Sequence, residues 1–226
     1  MPRIARVVIP DYPHHITQRG NYKQATFDED ADFQKYLKWL EGYRDKYSLD
    51  ILAYCLMPNH VHFVAIPREK DSLAKTFNSC HMRYAQYFNK KNKVTGHLWQ
   101  GRFYSCVLDE VHLYEAVRYV ENNPIRAHLV KEAEDWEWSS ARYHVNNGNG
   151  KEKNLLVKMD DMDKLFKIDN WKKYLQEGSV QKVVDLVRAN TLTGRPSGSD
   201  TFIEKLEKKL NRRLKMLPVG RQRKED

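Results

Sequence analysis

Two apolar runs, Leu49–Met57 and His60–Ile66, are separated only by Pro58-Asn59. Two short apolar runs with a turn dipeptide between them fold as an antiparallel hairpin. Helical spacing frames this hairpin on both sides. Before it, Phe33, Leu37, Leu40 and Tyr43 recur across Asp30–Tyr47; after it, Leu73, Phe77, Cys80, Tyr84 and Phe88 recur across Ser72–Asn89. His14–Gln18 reads as a short strand ended by Arg19-Gly20-Asn21, and Gly96–Leu108 carries a glycine-bounded turn and the strand RFYSCVL. Asp109 stands where an N-cap belongs, Glu110 suits the positive end of the next helix, and Pro124 should stop that helix near Asn123. The order β-α-β-β-α-β-α predicts an α+β fold of ferredoxin-like plan: a mainly antiparallel sheet with helices on one face.

Residues 1–145 carry this pattern. Asn146-Asn147-Gly148-Asn149-Gly150 opens the best linker in the chain, taken as 146–154. Residues 155–226 read as a helical, basic extension. Within it Val180–Val187 is amphipathic, Thr191–Ser199 (TLTGRPSGS) is a second break, and Thr201 to Glu204 forms a capping box for the helix FIEKLEKKLNRRL. This extension admits two readings, a solvated helix with a frayed end or a phosphate-contacting arm.

Lys and Arg number 39 against 30 Asp and Glu, a net charge of +9 that favours a polyanionic partner. Aromatic residues, 13 Tyr and 5 Trp among them, interleave with the cations as stacking on unpaired bases would require, although the same residues serve a core. No apolar run reaches the length of a membrane span or a signal peptide. Cys55, Cys80 and Cys106 are odd in number and widely spaced, which fits neither a disulfide framework nor a zinc knuckle. The expected setting is a reduced, soluble, cytoplasmic one.

Two constellations carry chemistry. His60-Val61-His62 lies on the second hairpin strand, where residues i and i+2 share a face. Both imidazoles then project together, within reach of one metal ion, while Val61 points into the core. Two unrelated histidines on a wet sheet face would look the same in sequence. No Asp or His follows in the H-x-H-x-D-H order of metallo-β-lactamase-type hydrolases. Tyr119 and Asn123 stand one helical turn apart, at or beyond the edge of the stripe Leu113, Ala116, Val117 and Val120. They read either as a core-edge pair or as a phenol nucleophile beside an amide oxygen that completes a metal site, with Arg118 and Arg126 placed to neutralise a phosphate. Gly96–Gly101 has the glycine spacing of a phosphate-binding P-loop, but Arg102-Phe103 follows instead of Lys-Ser/Thr, and no G-x-S-x-G elbow occurs.

Three motifs in order, M-P-N-H-V-H at Met57–His62, L-W-Q-G-R-F at Leu98–Phe103 and R-Y-V-E-N-N-P-I-R-A at Arg118–Ala127, resemble the REP-associated tyrosine transposases. These are HUH single-tyrosine nucleases related to the small insertion-sequence transposases. T-Q-R-G-N at Thr17–Asn21 and T-G-R-P-S-G-S at Thr193–Ser199 also fit, and the likeness covers most of residues 5–145. It implies that His60 and His62 are metal ligands, Asn123 the third ligand (often Gln in insertion-sequence relatives), Tyr119 the nucleophile, and Mg²⁺ or Mn²⁺ the cofactor. Asn59, ahead of the pair, is read as shaping the turn.

The implied reaction is cleavage and strand transfer on single-stranded DNA at palindromic hairpins, through a 5′-phosphotyrosine that needs no ATP. A phenol is mostly protonated at neutral pH, and no dedicated general base is evident. Unpaired bases would be read by Arg19 and Asn21 and by His97, Trp99, Gln100, Arg102 and Tyr104, with Arg83 and Tyr84 behind them. The implied chain is nucleoid-associated and works as a monomer or homodimer. Two other readings stand beside this one: a domesticated, non-catalytic hairpin-binding protein, and a zinc hydrolase of a small substrate using His60 and His62.

Overall fold

The computed structural model describes residues 6–148, 156–157 and 165–215. Linker residues 149–154 and tail residues 216–226 lie outside the described residues. Four strands, β1 (His14–Arg19), β2 (Leu49–Met57), β3 (His60–Pro67) and β4 (Tyr104–Val107), form one antiparallel sheet in the order β2-β3-β1-β4. Helices α1 (Asp30–Lys46) and α2 (Ser72–Asn92) cross over between them, and α3 (Glu110–Glu121) follows β4. This is the ferredoxin-like α+β plan expected from the sequence.

The helices cover both faces of the sheet, not one. On β3 the alternation sends Phe63 to one side, where it meets Tyr36 of α1 and Phe77 of α2. His62 goes to the other side and meets Tyr119 of α3. The physical sign is burial: β2 and β3 are buried along almost their whole length, with only Asp50 and His60 half-buried, whereas a half-solvated sheet would alternate buried and exposed residues.

Pro124 does not end a helix so much as begin one. The chain leaves α3 at Glu121, turns at Asn122, and resumes as α4 (Asn123–Arg126) with Pro124 in its first turn, where the missing N–H costs nothing. Asp109 does cap α3, accepting from His112 N at 2.9 Å.

Described residues beyond Gly148 join the same core. Leu156 and Val157 are buried, and Val157 bridges Ile51 on the free edge of β2. Helices α5 (Ala141–Val145) and α6 (Trp171–Gln176) meet at buried Glu121 of α3, which takes hydrogen bonds from Ser140 Oγ, His144 Nδ1 and Trp171 Nε1. Helix α7 (Gln181–Thr193) packs on β4 and β1.

Helix α8 (Asp200–Leu210) is capped by Ser199, whose Oγ accepts from Phe202 N, so it starts ahead of the expected Thr201 cap. Glu204 is used differently as well: it pairs with Lys215 at 2.9 Å. Leu206 is fully buried in a second cluster with Val7, Ile9, Val107 and Leu214. The helix is therefore neither wholly solvated nor a free arm.

Candidate active site

Strand register assembles the site. Across β1–β3, Arg19 pairs with His60 and Thr17 with His62, so His15 is the diagonal neighbour of His62 on the same face. The rings of His60 and His62 lie 5.0 Å apart at 82°. Tyr119 closes the other side: its ring is 5.5 Å from that of His62 and 5.9 Å from that of His15, edge-on to both. The Arg126 guanidinium sits 4.4 Å above the Tyr119 ring. Tyr119 is only 5% exposed, yet among the described residues no hydrogen bond occupies its hydroxyl.

Asn123 is buried one turn below Tyr119 and donates from Nδ2 to the Tyr119 carbonyl at 3.2 Å. Its Oδ1 is the end not spent on that carbonyl. Each histidine has Nδ1 occupied: His60 by Asn59 Oδ1 at 2.6 Å, His62 by His15 Nε2 at 3.0 Å. Both therefore keep Nε2 for another partner, the arrangement usual in metal-binding imidazoles.

Burial holds the ring set neutral. Desolvation, then Arg19, pushes His60 down to about 4. Desolvation pushes His15 to about 3. His62 falls well below the ordinary histidine range, through burial first and then the charges of His60, His15, Arg19 and Arg126. Neutral imidazoles with free lone pairs are ready ligands at physiological pH.

The donor set fits a divalent cation. By its chemistry the expected set of two imidazoles and one amide oxygen would suit Mg²⁺ or Mn²⁺, with a substrate's oxygens as the further donors. Among the described residues no group of three His, Cys, Asp or Glu side chains could hold a metal.

A second region lies on the opposite face of the sheet. A cleft of about 780 Å³ is lined by α2 residues such as His81, Gln86 and Asn89, by Gln18 and Asn21, and by the whole of Gly96–Phe103. It gathers five of the expected DNA-reading residues: Asn21, His97, Trp99, Gln100 and Arg102. The cleft and the histidines meet at one end of β1, where Gln18 faces the cleft and Arg19 the imidazoles.

The remaining candidates separate. Trp99 is mostly core, with Nε1 donating to the His81 carbonyl at 3.0 Å. Tyr104 is half-buried in β4 opposite Thr17. Tyr84 is fully buried and bonded to the Thr26 carbonyl, and Arg83 lies over Trp39. Arg118 is committed elsewhere: it pairs with Glu115 and Glu177, donates to the Gly178 carbonyl and covers the Tyr174 ring. It flanks Tyr119 in sequence but turns away along the helix surface, since neighbouring residues do not share a helix face.

Sequence reasoning missed His15 and Thr191, whose Oγ1 lies 2.7 Å from His15 Nδ1, and it read Asn59 as a turn residue only. The His14-His15 pair was visible, but only the sheet register brings His15 to His62. Thr191 offered no signal at all.

The family described as "Transposase IS200 like" matches residues 9–123, just over half of the chain. A REP-associated tyrosine transposase of Haemophilus influenzae is 29% identical over 108 residues, which span 42% of this chain and 61% of that protein. A solved REP-associated tyrosine transposase bound to a REP hairpin superposes with a TM-score of 0.53 at 20% identity, covering 71% of this chain and 90% of that one. That likeness shows a shared fold.

Proposed function

Because the chain belongs to the IS200-like transposase family, we propose that it is a metal-dependent single-stranded DNA nuclease and strand transferase acting at palindromic, REP-type hairpins. One observation carries the reading: within a single chain, the ring of Tyr119 stands beside both His62 and His15, with the Arg126 cation over it. Tyr119, His62 and His15 come from α3, β3 and β1, far apart in sequence, and meet within one chain.

In this reading His60, His62 and Asn123 Oδ1 hold a divalent cation, which supplies Lewis acidity and a template for the scissile phosphate's oxygens. Arg19 and Arg126 border the histidines and place positive charge against the incoming phosphodiester. The Tyr119 hydroxyl, free of internal hydrogen bonds, is the nucleophile. Its oxygen forms a bond to phosphorus as the bond from phosphorus to the 3′ oxygen breaks. The phenolic proton is lost to solvent and the departing 3′ oxygen gains one, leaving a 5′-phosphotyrosine and a 3′-OH. Attack by another 3′-OH reverses the same steps, so strands rejoin without a nucleotide cofactor.

The cleft on the other face receives unpaired bases. A strand crossing the end of β1 passes from Asn21, His97, Gln100 and Arg102 to Arg19 and the imidazoles. Recognition in the cleft uses polar edges, with stacking confined to whatever part of Trp99 is exposed. Such binding weakens as salt rises.

The test is incubation with end-labelled single-stranded hairpins from the protein's own genome, with and without Mn²⁺, resolved on denaturing gels. A cleaved product together with a protein-linked 5′ fragment, both dependent on the ion, is expected. Hairpin binding without cleavage across a range of ions would replace this reading with the non-catalytic one.

A further inference from the structure

We infer that His15 and Thr191 are positioning residues: a hydrogen-bond chain that starts on α7 dictates which ring nitrogen of His62 is bare. The inference rests on the nuclease reading only for the purpose of that bare nitrogen.

Thr191 Oγ1 lies 2.6 Å from the carbonyl of Val187, four residues earlier on α7. A carbonyl can only accept, so the hydroxyl proton points there. Oγ1 then has lone pairs, and nothing else, for its other neighbours, His15 Nδ1 at 2.7 Å and Cys106 Sγ at 3.1 Å. His15 must therefore carry its proton on Nδ1. His15 is 1% exposed and meets no carboxylate among the described residues, so it is neutral and its Nε2 is bare. That nitrogen stands 3.0 Å from His62 Nδ1, which must donate to it. His62 is left with its proton on Nδ1 and its lone pair on Nε2.

An independent device does the same for His60. Asn59 Nδ2 donates to the Lys23 carbonyl at 3.1 Å, which turns Oδ1 toward His60 Nδ1 as an acceptor at 2.6 Å. Both histidines are thus held in the Nδ1–H form, the minor tautomer of free histidine, before any ligand arrives. Groups that fix a metal-binding imidazole in this way commonly set affinity by a factor of ten or more.

The chain also gives the C-terminal segment a task. Thr191 lies well beyond the stretch that matches the family. Its place over β1 is secured by the following loop: Ser197 bridges Leu108 at the end of β4, and Asn190 Nδ2 donates to Pro196 O at 2.8 Å and Ser197 Oγ at 3.1 Å. Gly198 lets that loop pass, since a Cβ there would meet Phe202 at 2.2 Å.

The experiment uses full-length protein, ¹⁵N-labelled at histidine and metal-free. Long-range ¹H–¹⁵N spectra at pH 7.5 report the tautomer of each ring, and Mn²⁺ titration followed by electron paramagnetic resonance reports affinity. Expected are Nδ1–H forms for His15, His60 and His62. Thr191→Val keeps the shape without the hydroxyl; it should shift the His15 and His62 tautomers and weaken Mn²⁺ binding about tenfold or more. Thr191→Ser, which keeps the hydroxyl, should restore both. Wild-type His62 protonated on Nε2, or Thr191→Val with unchanged tautomers and affinity, overturns the inference. If Thr191→Val fails to fold, the wild-type spectra still decide. Wild-type protein with the Nδ1–H forms but no Mn²⁺ binding supports the relay and refutes the nuclease reading instead.

Discussion

Replacing Tyr119 by Phe removes one oxygen and leaves the ring. The structure separates what that oxygen does from what the ring does. The ring is buried against His62, His15 and Arg126, and all three contacts survive in Phe. The contacts of Tyr119 to described side chains are ring contacts, so removing the hydroxyl breaks no hydrogen bond to a described residue. The expected stability change is within about 0.5 kcal/mol, the range of substitutions that touch no specific feature. Cleavage and the protein-linked product should disappear completely, because no other side chain replaces the attacking oxygen, while hairpin binding stays near wild type. Tyr119→Ala is the contrast: truncating a buried aromatic ring costs about 3–5 kcal/mol. Urea denaturation gives the stabilities, and denaturing gels with end-labelled hairpin give cleavage and adduct. Wild-type cleavage by Tyr119→Phe would remove Tyr119 from its role. A loss of more than about 1.5 kcal/mol would show instead that the hydroxyl is a structural bond donor.

Three further outcomes are expected. His14, His15 and His81 are pushed down to about 4, 3 and 3, by burial above all. Their unfolded forms take up protons near pH 6.5 while the folded forms do not, so stability is lost as pH falls from about 6.5 toward 4, by at most ~1.4 kcal/mol per pH unit for each histidine; urea midpoints that stay level from pH 7.5 to 5 would contradict this. Arg126→Ala should weaken binding of single-stranded hairpin and flatten its salt dependence by about 0.7 in log–log slope per lost phosphate contact, whereas Arg118→Ala, which breaks the pairs with Glu115 and Glu177, should lower stability and leave that slope alone. Leu206→Ala empties a fully buried position between α8 and Val7, Ile9 and Val107 and should cost about 2–5 kcal/mol, with faster hydrogen exchange in α8; a cost near zero would mean that the helix does not depend on this contact.

The sequence by itself determined the elements and the chemistry they carry. Hairpin, crossover helices and the order of elements along the chain followed from periods of 2 and 3.6 and from Pro and Gly punctuation, because those signals are local. His60 and His62 could be placed on one face for the same reason, and Tyr119 could be singled out one turn from Asn123. Local signals fail where a contact joins distant elements. Arg118 and Arg126 look alike beside Tyr119 in the chain, yet only Arg126 lies over its ring, and Arg118 is taken up by Glu115 and Glu177. Trp99 and Tyr84 have the composition of stacking residues but are packed inward.

Only the tertiary structure decided that helices cover both sheet faces, that α8 is docked, and that Thr191 reaches His62 through His15. Register between strands and packing between helices are settled by shape and by hydrogen-bond satisfaction across more than a hundred residues of separation. A string of residue types carries no measure of that distance, so His60, His62 and Tyr119 could be picked out along the chain while the hydrogen-bond partners His15 and Thr191 could not.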